Sequence, residues 1–239
     1  MAWQYHVFDD VAYTISYAGE HYNVGSLGQV KLFFNKSVDG RTWTPISSKA
    51  SPFSLGGISE VGWAVDDESG VLYGVGRNED GDDSGWGSRV LKFDPETMEA
   101  PQWIGNQSNP NIYESPRMFT HEDSMFLVAR TDPNGPFMSD LNLPATVHHL
   151  YDLLAYSLRP HGTALWKLNR DTAQLEWLMD LPGCGDTAFP SIVKLSPHTY
   201  LILNYSSPME DCANWPWIEG QVHPQGTWIY TVTIEFIMQ

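Results

Sequence analysis

Positive charge is scarce in this chain. Of 239 residues, 13 are Lys or Arg against 29 Asp or Glu, so the formal net charge is −16 and the isoelectric point is near 4.6. A phosphate backbone or an anionic bilayer surface would be repelled, which argues against nucleic-acid binding and against membrane attachment through a basic patch. Long apolar runs are lacking too: no stretch reaches the roughly 18 residues that a spanning helix needs. The start, Met1 to Tyr5, has no basic segment leading into an apolar one, so no signal peptide is read there; a mature secreted domain would read the same way. The two cysteines, Cys184 and Cys212, are too few for a disulfide scaffold or a four-ligand zinc site. They leave open one loop-tying disulfide or two inert thiols. No glycine-rich phosphate loop follows a strand, so neither a nucleotide nor any other cofactor is expected. Helical periodicity is confined to Ala145–Leu158.

What is abundant is strand-forming sequence. Hydrophobic residues make up 42% and aromatics 13%, arranged in short runs of Val, Ile, Tyr, Phe and Trp broken by turn residues. The runs recur. A strand, a tight polar turn and a more apolar strand appear at Tyr5–Asp10 and Ala12–Gly19, and again at Glu60–Asp67 and Gly70–Arg77. Further copies are Ser115–Glu122 with Ser124–Arg130, and Phe189–Ser196 with Thr199–Ser206. Third strands are expected at Val30–Asn35, Arg89–Phe93, Ala164–Asn169 and Trp228–Phe236, and fourth strands in the first three modules. Four-stranded units at such a period predict an all-β fold, a β-propeller of about four visible blades, in which each thin blade must stack on its neighbours. The expected blades span about 3–48, 59–105, 114–182 and 186–237 of a single domain, with an insertion at 132–161. A β-sandwich explains the composition but not the recurrence. The fourth module lacks a fourth strand. Either the N-terminal residues supply it, or the four blades belong to a five- or six-bladed ring that self-association or further chain would close.

The sharpest local motif is Ser37-Val38-Asp39-Gly40-Arg41-Thr42-Trp43, between the third and fourth strands of the first module. Asp suits a turn that accepts several hydrogen bonds, Gly permits a positive φ, and Trp fills the space between strands. It resembles the Asp box, or BNR repeat, of the sialidase superfamily, in a form one residue shorter. Glu114-Ser115-Pro116-Arg117, Leu127-Val128-Ala129-Arg130 and Asp186-Thr187-Ala188-Phe189-Pro190-Ser191 are similar to that superfamily as well. The resemblance covers most of the chain. It implies a propeller with the Asp box on the face opposite the functional one.

In a propeller, second-strand ends and first-strand starts open on one face. That places Tyr17, Arg77, Arg130 and Tyr205 beside Glu60, Glu114, Arg117 and Asp186, beneath long loops at 78–86, 132–161 and 207–226. Three of the chain's seven arginines fall there, which in so acidic a chain points to a site for a carboxylate or other small anion. The resemblance implies arginines that hold an acidic sugar, a nucleophile Tyr205 paired with Glu60 or Glu114, and Asp186 as acid/base. Trp86, Trp215 and Trp217 in the loops suit stacking on sugar C–H faces. Two functions follow: a sialidase-like glycosidase acting on an acidic glycan, or a non-catalytic propeller that binds glycans or a protein. In either, arginines neutralised by neighbouring carboxylates are the competing structural reading. The run Asn78-Glu79-Asp80-Gly81-Asp82-Asp83 reads as a solvated acidic loop rather than a calcium loop, and His148 with Asp152 as part of a solvated insertion helix; no metal is expected at either.

Overall fold

The computed structural model describes residues 1–19, 29–135 and 141–237. Residues 136–140 of the expected insertion lie outside these. Sixteen strands and two α-helices are described, and every paired strand is antiparallel. The first sheet holds β1 (Ala2–Phe8), β2 (Val11–Ala18), β3 (Val30–Ser37) and the short β4 (Thr44–Pro45), with β5 (Ser54–Gly56) also on β3. The second is β6 (Ile58–Val65), β7 (Leu72–Asp82), β8 (Gly85–Phe93) and β9 (Gln102–Asn109). The third is β10 (Glu114–His121), β11 (Ser124–Thr131), β12 (Gly162–Asn169) and β13 (Gln174–Cys184). The fourth is β14 (Thr187–Ser196), β15 (Thr199–Ser206) and β16 (Trp228–Glu235). Helix α1 (Ala145–Ser157) precedes β12, and α2 (Trp217–Val222) precedes β16. The four sheets are the blades of a β-propeller.

The hydrophobic core is divided among the gaps between blades, as stacked thin sheets require. Ile15, Leu32, Phe34, Trp63, Leu72 and Leu91 pack between the first and second blades. Val75, Val90, Met118, Met125, Leu127 and Leu168 fill the second gap. Phe119, Phe126, Val128, Leu165, Tyr200 and Ile202 fill the third. Among the described residues the fourth blade has three strands, and β1 pairs with β2 in the first blade, so the N-terminal residues do not complete it.

Two sequence expectations change here. Asn78, Glu79 and Asp80 are not a solvated loop: β7 runs on to Asp82, and all three are buried. The ladder Arg77↔Ser88 and Asn78↔Gly87 continues past Arg77, because pairing with β8 satisfies backbone groups that a loop would leave to water. Nor is α1 solvated on all sides. His148, His149, Asp152 and Tyr156 are buried, and Tyr156 joins Ile112, Trp86 and Trp217 in a small apolar cluster over the blades.

The inserted segments are tied down. Arg159 Nε pairs with Asp132 Oδ2 at 2.6 Å, at the base of the α1 insertion. Cys184 and Cys212 form a disulfide from the end of β13 to the segment that carries α2. Gly220 in α2 lies so close to the Asp186 backbone that a Cβ would sit 2.2 Å from its nitrogen, so only a glycine lets the helix seat there.

Candidate functional site

The inner strands β6, β10 and β14 each carry a register shift near their starts, at Ile58/Val61, Glu114/Arg117 and Ala188/Ser191. Ser115, Ala188 and Phe189 have φ of 50°, 90° and 63°. These values are uncommon for residues with side chains, and bulges of this kind re-aim side chains at the rims of closed sheets. Here the shifts bring Glu60, Ser115 and Phe189 to one cavity of about 390 Å³, with Arg77, Glu79, Arg130, Tyr156, Tyr205 and Trp217. A groove of about 440 Å³ at the opposite ends of the first two blades carries Phe8, Tyr13, Trp63 and hairpin-turn aspartates, and none of this network.

Two guanidinium groups organise the cavity floor. Arg77 pairs with Glu60 at 3.0 Å, with Glu114 at 2.5 Å and with Glu79. Arg130 pairs with Glu114 at 3.0 Å and with Asp186 at 3.5 Å. It also donates to the Thr187 carbonyl at 2.6 Å and to the Tyr205 hydroxyl at 3.1 Å. Tyr205 in turn donates to Asp186 Oδ1 at 2.9 Å. Tyr156, reaching in from α1, bonds to both Glu114 and Arg130. Glu60 Oε2 accepts from the Ser115 backbone N–H at 2.8 Å.

Burial and charge separate the carboxylates. Burial drives Glu79 up to about 7; Arg77 opposes this, while Glu114, Asp80 and Glu60 add to it. Its Oε1 meets Arg77, and its Oε2 has no hydrogen-bond partner among the described residues. Glu114 feels the same burial, but Arg77 and Arg130 outweigh it and hold the group below its usual value. Burial raises Tyr205 and Tyr156, and a carboxylate accepting each hydroxyl proton reinforces the neutral phenol. Burial and the nearby Arg130 lower His161 to about 4, so it is neutral at pH 7.

The structure thus brings together Glu60, Glu114, Asp186, Arg77, Arg130, Tyr205 and Trp217 from the sequence-derived set. Tyr17 is raised first by burial and then by Glu60, with Arg77 opposing and Glu79 adding, so it lies near these groups, and its hydroxyl donates to Met1 Sδ. Arg117 stands apart. Its guanidinium bonds to the carbonyls of Trp3 and Pro190 and lies over the Trp3 ring, between blades rather than in the cavity. Trp86 packs against His148 and Trp215 against His223, and neither lines the cavity. Tyr205 meets Asp186 instead of Glu60 or Glu114. Sequence reasoning missed Glu79 and Tyr156: the first lay in a run read as solvated, and the second in an insertion helix whose docking face only tertiary packing defines.

At the far end of the first blade, Asp39 accepts hydrogen bonds from Arg41 N, Thr42 N, Ser37 Oγ and Thr42 Oγ1 at 2.7–3.1 Å. The backbone bonds to Thr42 and Arg41 lead in lowering its pKa to about 2. Trp43 packs against Tyr5.

No protein-family model matches this chain, and no curated protein sequence does. Similar solved structures do exist. A protein of unknown function from Dyadobacter fermentans superposes with TM-score 0.53 at 14% identity, over 98% of this chain and 52% of that one. A GH43_12 protein from a capybara gut metagenome gives 0.52 at 13% identity, over 89% and 40%. A Hadza microbial sialidase gives 0.51 at 11% identity, over 95% and 44%. The chain spans about half or less of the length of these three neighbours. At such identities the likeness is one of fold alone, that of a β-propeller.

Proposed function

We propose that the axial cavity is the site of a glycoside hydrolase acting on a neutral glycan. The observation that carries this reading is the charge balance of the cavity. Two guanidiniums face the carboxylates Glu60, Glu114 and Asp186 and the carboxyl of Glu79, which burial keeps protonated up to about pH 7. Each guanidinium already grips its own acids, so even with Glu79 neutral three negative charges outnumber two positive ones. An incoming sugar carboxylate would have to displace them and enter a net negative site. The acidic glycan expected from the arginines is therefore disfavoured, and an uncharged sugar favoured.

The pair of carboxyl groups that glycoside hydrolysis uses is available on the cavity wall. Glu79, protonated up to about pH 7, is the general acid that donates its proton to the leaving oxygen. Glu60, held by Arg77 and by the Ser115 N–H, is the second carboxyl, acting as base or nucleophile. Glu114 is only 1% exposed and positions both arginines rather than touching sugar. Tyr205, kept as a neutral phenol by burial and Asp186, suits a hydrogen-bonding wall better than a nucleophile. Phe189 and Trp217 supply apolar faces for sugar C–H groups. The fold neighbours support a sugar ligand without choosing among sugars, since they include both an endo-arabinase and a sialidase.

The test is hydrolysis of aryl glycosides by wild type, Glu79→Gln and Glu60→Gln. Turnover of a neutral arabinoside or galactoside that both variants lose supports the reading. Turnover of a sialoside in preference to neutral sugars refutes the neutral-substrate assignment. Binding of a neutral oligosaccharide with no turnover reassigns the cavity to a lectin. No binding of any glycan ends the sugar reading.

A further inference from the structure

Three side chains meet on the face opposite the cavity. His121 closes β10, Glu122 follows it in the hairpin turn, and His198 lies in the turn between β14 and β15. One ligand-capable atom from each lies within 4.8 Å of the other two. His121 Nε2 is 4.0 Å from Glu122 Oε1, and His198 Nδ1 is 3.8 Å from the same oxygen.

The surroundings fix which atoms point inward. Tyr200 donates its hydroxyl proton to the Thr120 carbonyl at 3.0 Å, so its oxygen is free to accept from His121 Nδ1–H at 3.3 Å. That tautomer leaves a lone pair on His121 Nε2, facing Glu122. The ring is held by Phe236, stacked at 3.9 Å. His198 Nδ1 is buried and has no hydrogen-bond partner among the described residues. Two imidazole nitrogens and a carboxylate oxygen therefore converge, with an outer hydroxyl orienting one of the rings, as metal-binding histidines require.

We propose that His121, Glu122 and His198 form a site for a divalent transition metal of the zinc class, tying the third blade to the fourth. Two imidazoles favour zinc, nickel or copper over calcium or magnesium, which prefer all-oxygen shells. Tetrahedral zinc with bonds of about 2.0–2.2 Å sets its ligand atoms roughly 3.3 Å apart. Closing the present spacing takes shifts of about 1 Å. Glu122 and His198 can make them, with side chains 64% and 35% exposed, while His121 stays anchored at 8%. Water completes the fourth position from the solvent side. The ligands come from two different hairpins, His121 and Glu122 from the third blade and His198 from the fourth, so the ion cross-links the third blade to the fourth.

Calorimetric titration of chelator-stripped, tag-free chain with ZnCl₂ tests the site. One equivalent of Zn²⁺ is taken up, and Tm rises by on the order of 5 °C at a hundredfold excess over Kd, reversed by chelator. CaCl₂ and MgCl₂ produce no such rise. His198→Ala and Glu122→Ala, both in exposed turns, remove the rise, whereas His223→Ala retains it. Tyr200→Phe weakens affinity about tenfold by releasing the His121 ring. Co²⁺ added to wild type gives the visible bands of a four-coordinate site. Failure of wild type to take up Zn²⁺, or uptake undiminished in His198→Ala and Glu122→Ala, overturns the proposal.

Discussion

Replacing Glu79 by Gln separates a proton-bearing acid from an ordinary ion-pair partner. The carboxyl is 4% exposed and its pKa lies at about 7, against 4.5 for the free side chain. Between those values the folded chain holds a proton that the unfolded chain releases, so this group makes stability fall as pH rises. At about 1.4 kcal/mol per pH unit, the loss accumulates to roughly 3 kcal/mol by pH 7 and is flat above it. Gln copies the neutral acid and does not titrate. Arg77 still has Glu60 and Glu114, so its charge is not stranded in the variant. The Tm difference, variant minus wild type, should therefore increase from pH 5 to pH 8. The full shift corresponds to about 6–12 °C for a chain of this size. Thermal melts by circular dichroism at matched ionic strength measure it, and the pH-dependent part isolates the proton from any constant packing cost. The high-pH limb of kcat/KM, which falls above about pH 7 as the acid ionises, should vanish with the activity itself. A Tm difference that is flat, or that moves against the variant as pH rises, would refute the reasoning by showing Glu79 to be an ionised partner of Arg77.

Arg130→Ala should cost about 3–5 kcal/mol in urea unfolding, because it strips the guanidinium from buried Glu114 and Asp186; a change under 1 kcal/mol contradicts the pairing. Reduction or a Cys184→Ala, Cys212→Ala double variant should lower stability by about 3–4 kcal/mol from the chain entropy of a 28-residue separation. A variant as stable as wild type counts against the cross-link. Trp217→Ala should raise KM for a glycan more than it lowers kcat, since the ring walls the cavity without bonding to its charges; an equal loss in both would move Trp217 into the reacting geometry. Asp39→Ala should lower Tm slightly and leave glycan kinetics unchanged, with the site at the other end of the blades. A kinetic defect at unchanged Tm would contradict that placement.

The strand modules were legible because strands carry their signal locally, in short β-branched and aromatic runs between polar turns. Ala12–Gly19, Phe189–Ser196 and Thr199–Ser206 match β2, β14 and β15 to within two residues, whereas β1 begins three residues before the expected Tyr5 and ends at Phe8. The axial clustering of Glu60, Arg77, Glu114, Arg130, Asp186 and Tyr205 followed from topology alone, since equivalent ends of equivalent strands must converge. What composition hid was burial. Asn78-Glu79-Asp80 looks solvated by residue type, yet bulged neighbours and the docked helix α1 enclose it. The pairing of both arginines with internal carboxylates was hidden for a related reason: sequence places side chains near the axis but does not assign partners. Arg117 shows the limit of counting by strand register, because the shift between Glu114 and Arg117 turns its guanidinium away from the cavity.

That displaced arginine has a consequence for how the molecule assembles. Among the described residues the first and fourth sheets share no ladder. Arg117, in the third, bonds to Trp3 at the start of the chain and Pro190 near its end, across 114 and 73 residues. Trp3 also packs on Phe189 at 5.2 Å. As the chain leaves the ribosome, Trp3 and Arg117 are available long before Pro190 exists. The guanidinium acquires both carbonyl partners only when the fourth blade arrives, so this junction of β1, β10 and β14 is a late, non-local event of the kind that slows folding. Pulse-labelled hydrogen exchange should show β1 and β14 amides gaining protection in one phase, with Arg117→Met splitting that phase in two; protection of β1 well ahead of β14 in wild type would show that the Arg117 junction does not couple them.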